Sequence, residues 1–273
     1  MKKLDRGVII MLLLLLYTLI SSVIMQVIIV ISEARLGLMH LIIISQFVSF
    51  GVPFFVYLAI TRQRLPNVLL LKSLDIKNLM LVIGIVFCAM PFASLLSSIT
   101  SMFVDNHIAS LLLEATVAYP FLLSLFAIGI MPSIFEELMF RGVIYKEYTH
   151  LPIKHAALIN GLFFGLIHMS FQQFFYAFAL GALFSYLLYY TRSFLAPVIG
   201  HFIVNGFNIT MVYGIAFAME YFEEFYQYDL TYIDEPNPLL AVGIMSVVSL
   251  VFAPLFIFLF RELVSHNKHN VEV

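Results

Sequence analysis

One cysteine in 273 residues leaves no disulfide framework and no Cys-rich metal site to build, and Cys88 lies in an apolar run. Charge is scarce as well: Asp, Glu, Lys and Arg supply 11% of the chain, against about a quarter in an ordinary globular protein. The formal net charge of -2 is too small to argue for nucleic acid or another bulk electrostatic partner, so only the positions of the charges carry information. What fills the chain instead is apolar, with 62% hydrophobic residues and a mean hydropathy of +1.03. Globular domains hold about 45–50% apolar residues. A surplus of this size has no interior to hide in, and lipid must be the solvent.

Apolar stretches near the ~20 residues needed to span a bilayer run from Gly7 to Ile31, Leu41 to Ile60, Leu79 to Ser101 and Leu111 to Phe135. Four more follow, from Ala156 to Met169, Phe171 to Tyr190, Phe194 to Phe217 and Leu239 to Phe260. The first exceeds the h-region of a signal peptide, about 7–15 residues, and no small-residue cleavage site follows it, so it reads as a retained helix. The fifth is short and is expected to begin earlier or to dip part-way. The fold expected is all-α: a polytopic transmembrane helix bundle of about eight spans, residues 1–273 forming one membrane domain without a fixed-period repeat or soluble module.

Orientation follows from Lys and Arg in short loops. With the N-terminus inside, the inner segments hold Lys2, Lys3, Arg6, Arg62, Arg64, Lys72, Lys77, Arg141, Lys146, Lys154, Arg192, Arg261 and Lys268, and only Arg35 of the 14 basic residues falls outside. The longest outer loop carries Glu220, Glu223, Glu224, Asp229, Asp234 and Glu235. Both termini are therefore expected in the cytoplasm.

Ionisable groups in membrane helices cost about 2.5–3.5 kcal/mol each on insertion scales and need a partner or a function. Here they are Glu136, Glu137 and Arg141 near the inner end of the fourth span, His168 near the end of the fifth, and His201 in the seventh, with Asn205 one turn further on. Glu114 is close to the outer end of its span and can reach the interface. On a helix Glu137 and Arg141 stand at i and i+4, acid before base, and can pair. Glu136 is turned about 100° away. One carboxylate is thus neutralised and the other left free, suited to general-base work in partly dehydrated surroundings. A solvated helix end accounts for the same three charges equally well. His201 and Asn205 are also i and i+4, able to aim two donors at one locus and polarise a carbonyl; a plain helix–helix hydrogen bond by Asn205 is the alternative. Pro132, one turn before Glu136, removes a helical hydrogen bond.

The string Glu136-Glu137-Leu138-Met139-Phe140-Arg141 resembles the EExxxR motif of the CAAX-protease and bacteriocin-processing (CPBP, or Abi) family of intramembrane proteases. Phe164-Gly165-Leu166-Ile167-His168 is similar to its FxxxH motif and His201-Phe202-Ile203-Val204-Asn205 to its HxxxN motif. Three motifs in the right order form a specific signal, and the resemblance covers roughly residues 111–213. It implies a Rce1-like, glutamate-dependent endopeptidase in which Glu136 and His168 activate water, His201 and Asn205 form the oxyanion site, and Glu137 and Arg141 hold the geometry. It also implies a peptide or membrane-protein substrate, of which a prenylated tail is the eukaryotic Rce1 case. The setting is a lipid bilayer, with no nucleic acid; the membrane expected is the bacterial plasma membrane. The span map places Glu136 and His201 nearer the inner face, so substrate is expected from the cytoplasmic side.

The family is often classed with metalloproteases, and Glu136, His168 and His201 are the ligands a Zn²⁺ would take. The chain lacks HExxH and Asn is a poor zinc ligand, so water activated without a bound cofactor is the expectation. No Asp lies within a span for an aspartyl dyad, and there is no GxSG serine motif. Two other classes stay open: a non-proteolytic immunity or scaffold protein of the Abi type, and a proton-coupled transporter relaying through Glu136 and the histidines, the latter without a visible inverted repeat.

Overall fold

A computed structural model describes residues 3–31, 37–104, 118–226 and 237–270. Among these the only extended pairing is an isolated bridge between Leu71 and Ser193; the rest is helical. The elements are α1 (Lys3–Ile31), α2 (Leu38–Thr61), α3 (Ile76–Ser101), α4 (Phe121–Tyr148), α5 (Ile153–Ile167), α6 (Phe171–Thr191), α7 (Leu195–Tyr226) and α8 (Pro238–His266). Arg35, His107, Glu114, Asp229, Asp234 and Glu235, together with residues 111–117 of the expected fourth span, lie outside the described residues.

Seven of these helices are long and apolar enough to cross a membrane. The fifth stretch, expected to be short, is α5, whose 15 residues rise about 22 Å against a hydrocarbon core of about 30 Å. Pro152 begins it, and at its other end Met169, with φ 49°, turns the chain directly into α6. A correction concerns α4, which continues past Phe135 to Tyr148 and takes in the whole acidic motif. Arg141 is accordingly a buried helical residue, not a basic loop residue.

Lipid gives helices no hydrophobic reason to associate, so close backbone packing must hold them. The α5–α6 hairpin does this with glycine: a Cβ on Gly161 would lie 2.6 Å from the Phe178 carbonyl oxygen, and one on Gly181 3.0 Å from the Gly161 Cα. The approach sets Phe164 and His168 of α5 against α6. On the outside, Leu12, Leu13 and Leu16 of α1 and Leu250 and Val251 of α8 are exposed, a surface that suits acyl chains and would aggregate in water.

One end of the bundle collects the basic residues. There Lys77 pairs with Glu262 at 3.5 Å and Arg6 with Glu147 at 3.6 Å. Lys72 and Arg192 both bond Asn270, and Lys146 donates to the Asn67 carbonyl. We call this the basic end. α3 and α7 both run away from it.

Candidate active site

α4 is not a regular α-helix. It widens into π turns over Leu125–Ile130 and Leu138–Ile144, separated by the regular segment Met131–Glu137. Such bulges re-aim side chains and gather at functional sites. Pro132 sits at the start of the regular segment and has no N–H to offer the Ile128 carbonyl in the α pattern. That carbonyl is taken up from another helix, by Asn205 Nδ2 of α7 at 3.1 Å. A proline in one motif helix thus fixes the side chain of another.

The acidic motif is deep inside the bundle, with Glu137 0%, Arg141 2% and Glu136 7% exposed, so a solvated helix end no longer accounts for it. Arg141 Nη1 donates to Glu137 Oε1 at 2.8 Å and Nη2 to the Gly181 carbonyl at 2.8 Å. The planar guanidinium is stacked between Phe164, 4.7 Å away, and Phe184, 5.3 Å away, a fork-and-stack fit that an ammonium cannot reproduce. His201 Nδ1 lies 2.9 Å from the same Glu137 oxygen. An ionised carboxylate only accepts, so Nδ1 carries the proton and Nε2 faces away from the pair. Glu137 therefore orients both the cation and the imidazole. Glu136 Oε2 has no hydrogen-bond partner among the described residues.

His168 terminates α5, and its Nδ1 stands 2.7 Å from the Phe164 carbonyl one turn back. A carbonyl also only accepts, so Nδ1 donates and the neutral ring keeps a lone pair on Nε2. The Phe164 ring lies between, 5.1 Å from His168 and 5.7 Å from His201 by centroid. The FxxxH spacing has a structural use here: the same turn that bonds His168 through its backbone inserts an aromatic wall between the two histidines.

All four residues expected to do chemistry, Glu136, His168, His201 and Asn205, line one cavity of about 740 Å³. Glu137 and Arg141 do not line it and stand behind its wall.

Residues 118–207 match the family model described as Type II CAAX prenyl endopeptidase Rce1-like. The segment is similar to Rce1-like endopeptidases. It contains all three motifs, beginning just before α4 and ending two residues past Asn205. YdiL of Bacillus subtilis (strain 168), provisionally named a membrane peptidase, is 29% identical over 84 residues. That match covers 30% of this chain and 34% of the relative, about a third of its length. No solved structure matches the chain.

Among the described residues no three His, Cys, Asp or Glu side chains are grouped as ligands. The Nδ1 atoms of His168 and His201 are held by the Phe164 carbonyl and by Glu137, which leaves Nε2 as the free ring nitrogen of each.

Several residues of the site were absent from the sequence reading. Asn160, fully buried, donates to the Phe140 carbonyl at 2.8 Å and accepts from Ser185 Oγ at 3.1 Å, bracing the π turn that carries Arg141. The cavity wall also includes Ser94, Ser97 and Ser98 of α3, Gln172 of α6 and Asn208 of α7. Their signal was in the spacing: Ser94, Ser97, Ser98 and Ser101 recur at i, i+3, i+4 and i+7 on an otherwise apolar helix, and Asn208 extends the His201–Asn205 face. Within α4 (Phe121–Tyr148) Glu136 lies near the middle of the helix. Phe140, Val143 and Ile144, on the basic-end side of Glu136 in α4, are fully buried, and the cavity lining runs along α3 and α7 away from the basic end.

Proposed function

We propose that the chain is an intramembrane endopeptidase that hydrolyses a peptide bond with water activated by Glu136 and His168. One observation carries the reading: the four motif residues face a shared cavity while their two supports are sealed behind it. Glu136, free of a protein partner at Oε2, takes a proton from water as the oxygen attacks the scissile carbonyl carbon, and the His168 Nε2 lone pair helps to orient that water. The carbonyl oxygen becomes an oxyanion. The N–H of Asn205 not given to Ile128 donates to it, as does His201 Nε2–H when the ring is protonated and backed by Glu137. The proton held by Glu136 then passes to the amide nitrogen, the C–N bond breaks, and a carboxylate and an amine leave. Removing one such donor costs about 10²–10³ in kcat in enzymes where this has been measured.

The substrate proposed is a membrane-associated or prenylated-type polypeptide, supported by the Rce1-like match, and the bilayer proposed is a bacterial plasma membrane, supported by the source of YdiL. No metal takes part in the proposed step. The test is cleavage of a peptide by purified protein carrying Glu136→Gln, which keeps size and removes the base. Activity is expected to fall by at least about 10², the lower range of positioned acid–base catalysis, with yield unchanged, and the native protein is expected to keep its activity after exhaustive chelation. Undiminished cleavage by Glu136→Gln overturns Glu136 as the base, and absence of cleavage by the native protein favours a scaffold; loss on chelation with recovery in Zn²⁺ overturns the metal-free step.

A further inference from the structure

The cavity has a floor and a mouth. Its floor is Glu136, His201 and Phe184. Below them, towards the basic end, Phe140, Val143, Ile144, Leu187 and Tyr148 are fully buried and leave no passage. In the other direction the wall rises along α3 from Met90 to Ser98 and along α7 from Val204 to Ile215. His201 stands six residues into α7, about 9 Å above its start, whereas Ile215 and Ser98 lie about 30 Å and 33 Å along their helices, at 1.5 Å per residue. Among the described residues at this end of the cavity, Ser94, Asn208, Met211 and Ile215 are exposed.

The wall has the chemistry of a peptide channel. An extended chain inside a membrane carries N–H and C=O groups that cost several kcal/mol each, on the order of 2–7, unless they find partners. Gln172, 4% exposed, donates from Nε2 to the Ser97 carbonyl at 3.0 Å and to Ser101 Oγ at 2.8 Å. A carbonyl cannot donate, so this fixes which end of the amide is nitrogen. Gln172 Oε1 is left buried without a partner, and Gln172 is one of the residues that line the cavity. Ser94, Ser97 and Asn208 add donors and acceptors along the same route.

The basic residues at the closed end place that end in the cytoplasm by the charge asymmetry of short loops. We propose that substrate reaches Glu136 from the extracytoplasmic half of the membrane. The class served is then a polypeptide segment exposed at, or anchored in, the outer leaflet, as in an exported or membrane-spanning protein, and not a tail arriving from the cytoplasm. The substrate class rests on the peptidase reading of the site; the side of access does not.

The single native cysteine makes the test clean. In a Cys88→Ser background, Ser98→Cys and Asn208→Cys report the mouth and Lys72→Cys the basic end, each probed with a membrane-impermeant maleimide on intact cells and on inverted vesicles. Both mouth positions are expected to label in intact cells and Lys72→Cys only in inverted vesicles, with the pattern unchanged when Glu136→Gln is added. Bulky maleimide at Asn208→Cys is expected to lower cleavage at least tenfold. Labelling of Lys72→Cys from outside, or of the mouth only from inside or from neither side, overturns the proposal. The expected labelling with no cleavage of any peptide leaves the access route standing and defeats the peptidase reading instead.

Discussion

Glu136 and Glu137 are adjacent in the chain yet are held in opposite ways. Glu137 gives one oxygen to both Arg141 and His201, whereas Glu136 lines the cavity and its buried Oε2 has no hydrogen-bond partner among the described residues. Glu137→Gln would leave Arg141, 2% exposed, as an uncompensated buried charge, a change that typically costs about 3–5 kcal/mol. We expect a marked loss of folded protein in detergent together with loss of activity, read by yield and by thermal unfolding. Asn205→Ala is expected to separate the two readouts. It leaves every ion pair intact, so folded yield should stay close to native while kcat falls by about 10²–10³ and KM changes little. A parallel fall in yield and activity for Asn205→Ala would show its bond to Ile128 to be structural only.

At the scale of elements, α3 is anchored at the basic end by a polar network independent of the site. Asp75 caps the helix, Oδ1 accepting from the Asn78 N–H at 2.9 Å and Oδ2 from Asn78 Nδ2 at 2.6 Å. Asn78 in turn exchanges hydrogen bonds with Asn267 just past α8. The Asn78 backbone N–H, with further help from the Asn78 side chain and from His266, holds the Asp75 carboxyl below the ordinary carboxylate range. A depressed folded-state value stabilises the fold above the unfolded-state value and stops doing so as pH falls through the folded one. Asp75 is largely exposed, so the pH effect is screened and small. Thermal stability is expected to be flat from neutral pH down to about 5 as far as Asp75 is concerned and to decline below about pH 4. Asp75→Ala should lower stability at neutral pH by about 1 kcal/mol, as lost N-caps do, and remove that part of the acid decline. An unchanged decline in Asp75→Ala would assign it to other carboxylates.

At the scale of the whole molecule, the basic end and the cavity mouth lie at opposite ends of the bundle, and the direction of both follows from one measurement. Reporter domains fused after Lys72 and Lys154 are expected to read cytoplasmic and one at Glu224 extracytoplasmic. A cytoplasmic reading at Glu224 reverses the bundle and with it the side from which the cavity is reached. α5, short as it is, does not relax this expectation, since Lys154 precedes it and Thr191 ends α6 at the same basic end.

Composition and hydropathy were sufficient to establish lipid as the solvent, helix as the element and where most helices begin, because a backbone in hydrocarbon must satisfy its own hydrogen bonds and the helix is the local way to do so; the far ends of α4, α7 and α8 ran past the apolar stretches. The pairing of Glu137 with Arg141 was likewise legible, being set by the helical period within six residues. What the chain could not disclose is whatever depends on a neighbour distant in sequence. His201 binding Glu137, Asn205 filling the bond that Pro132 vacates, and Asn160 bracing a π turn each join residues 20 to 77 positions apart. The same holds for the direction of the cavity. Depth is a property of one helix and can be counted along it, but access is decided by which side chains of several helices close over the space between them, and here Phe140, Ile144 and Leu187 are buried at one end while, among the described residues, Ser94 and Asn208 are exposed towards the other.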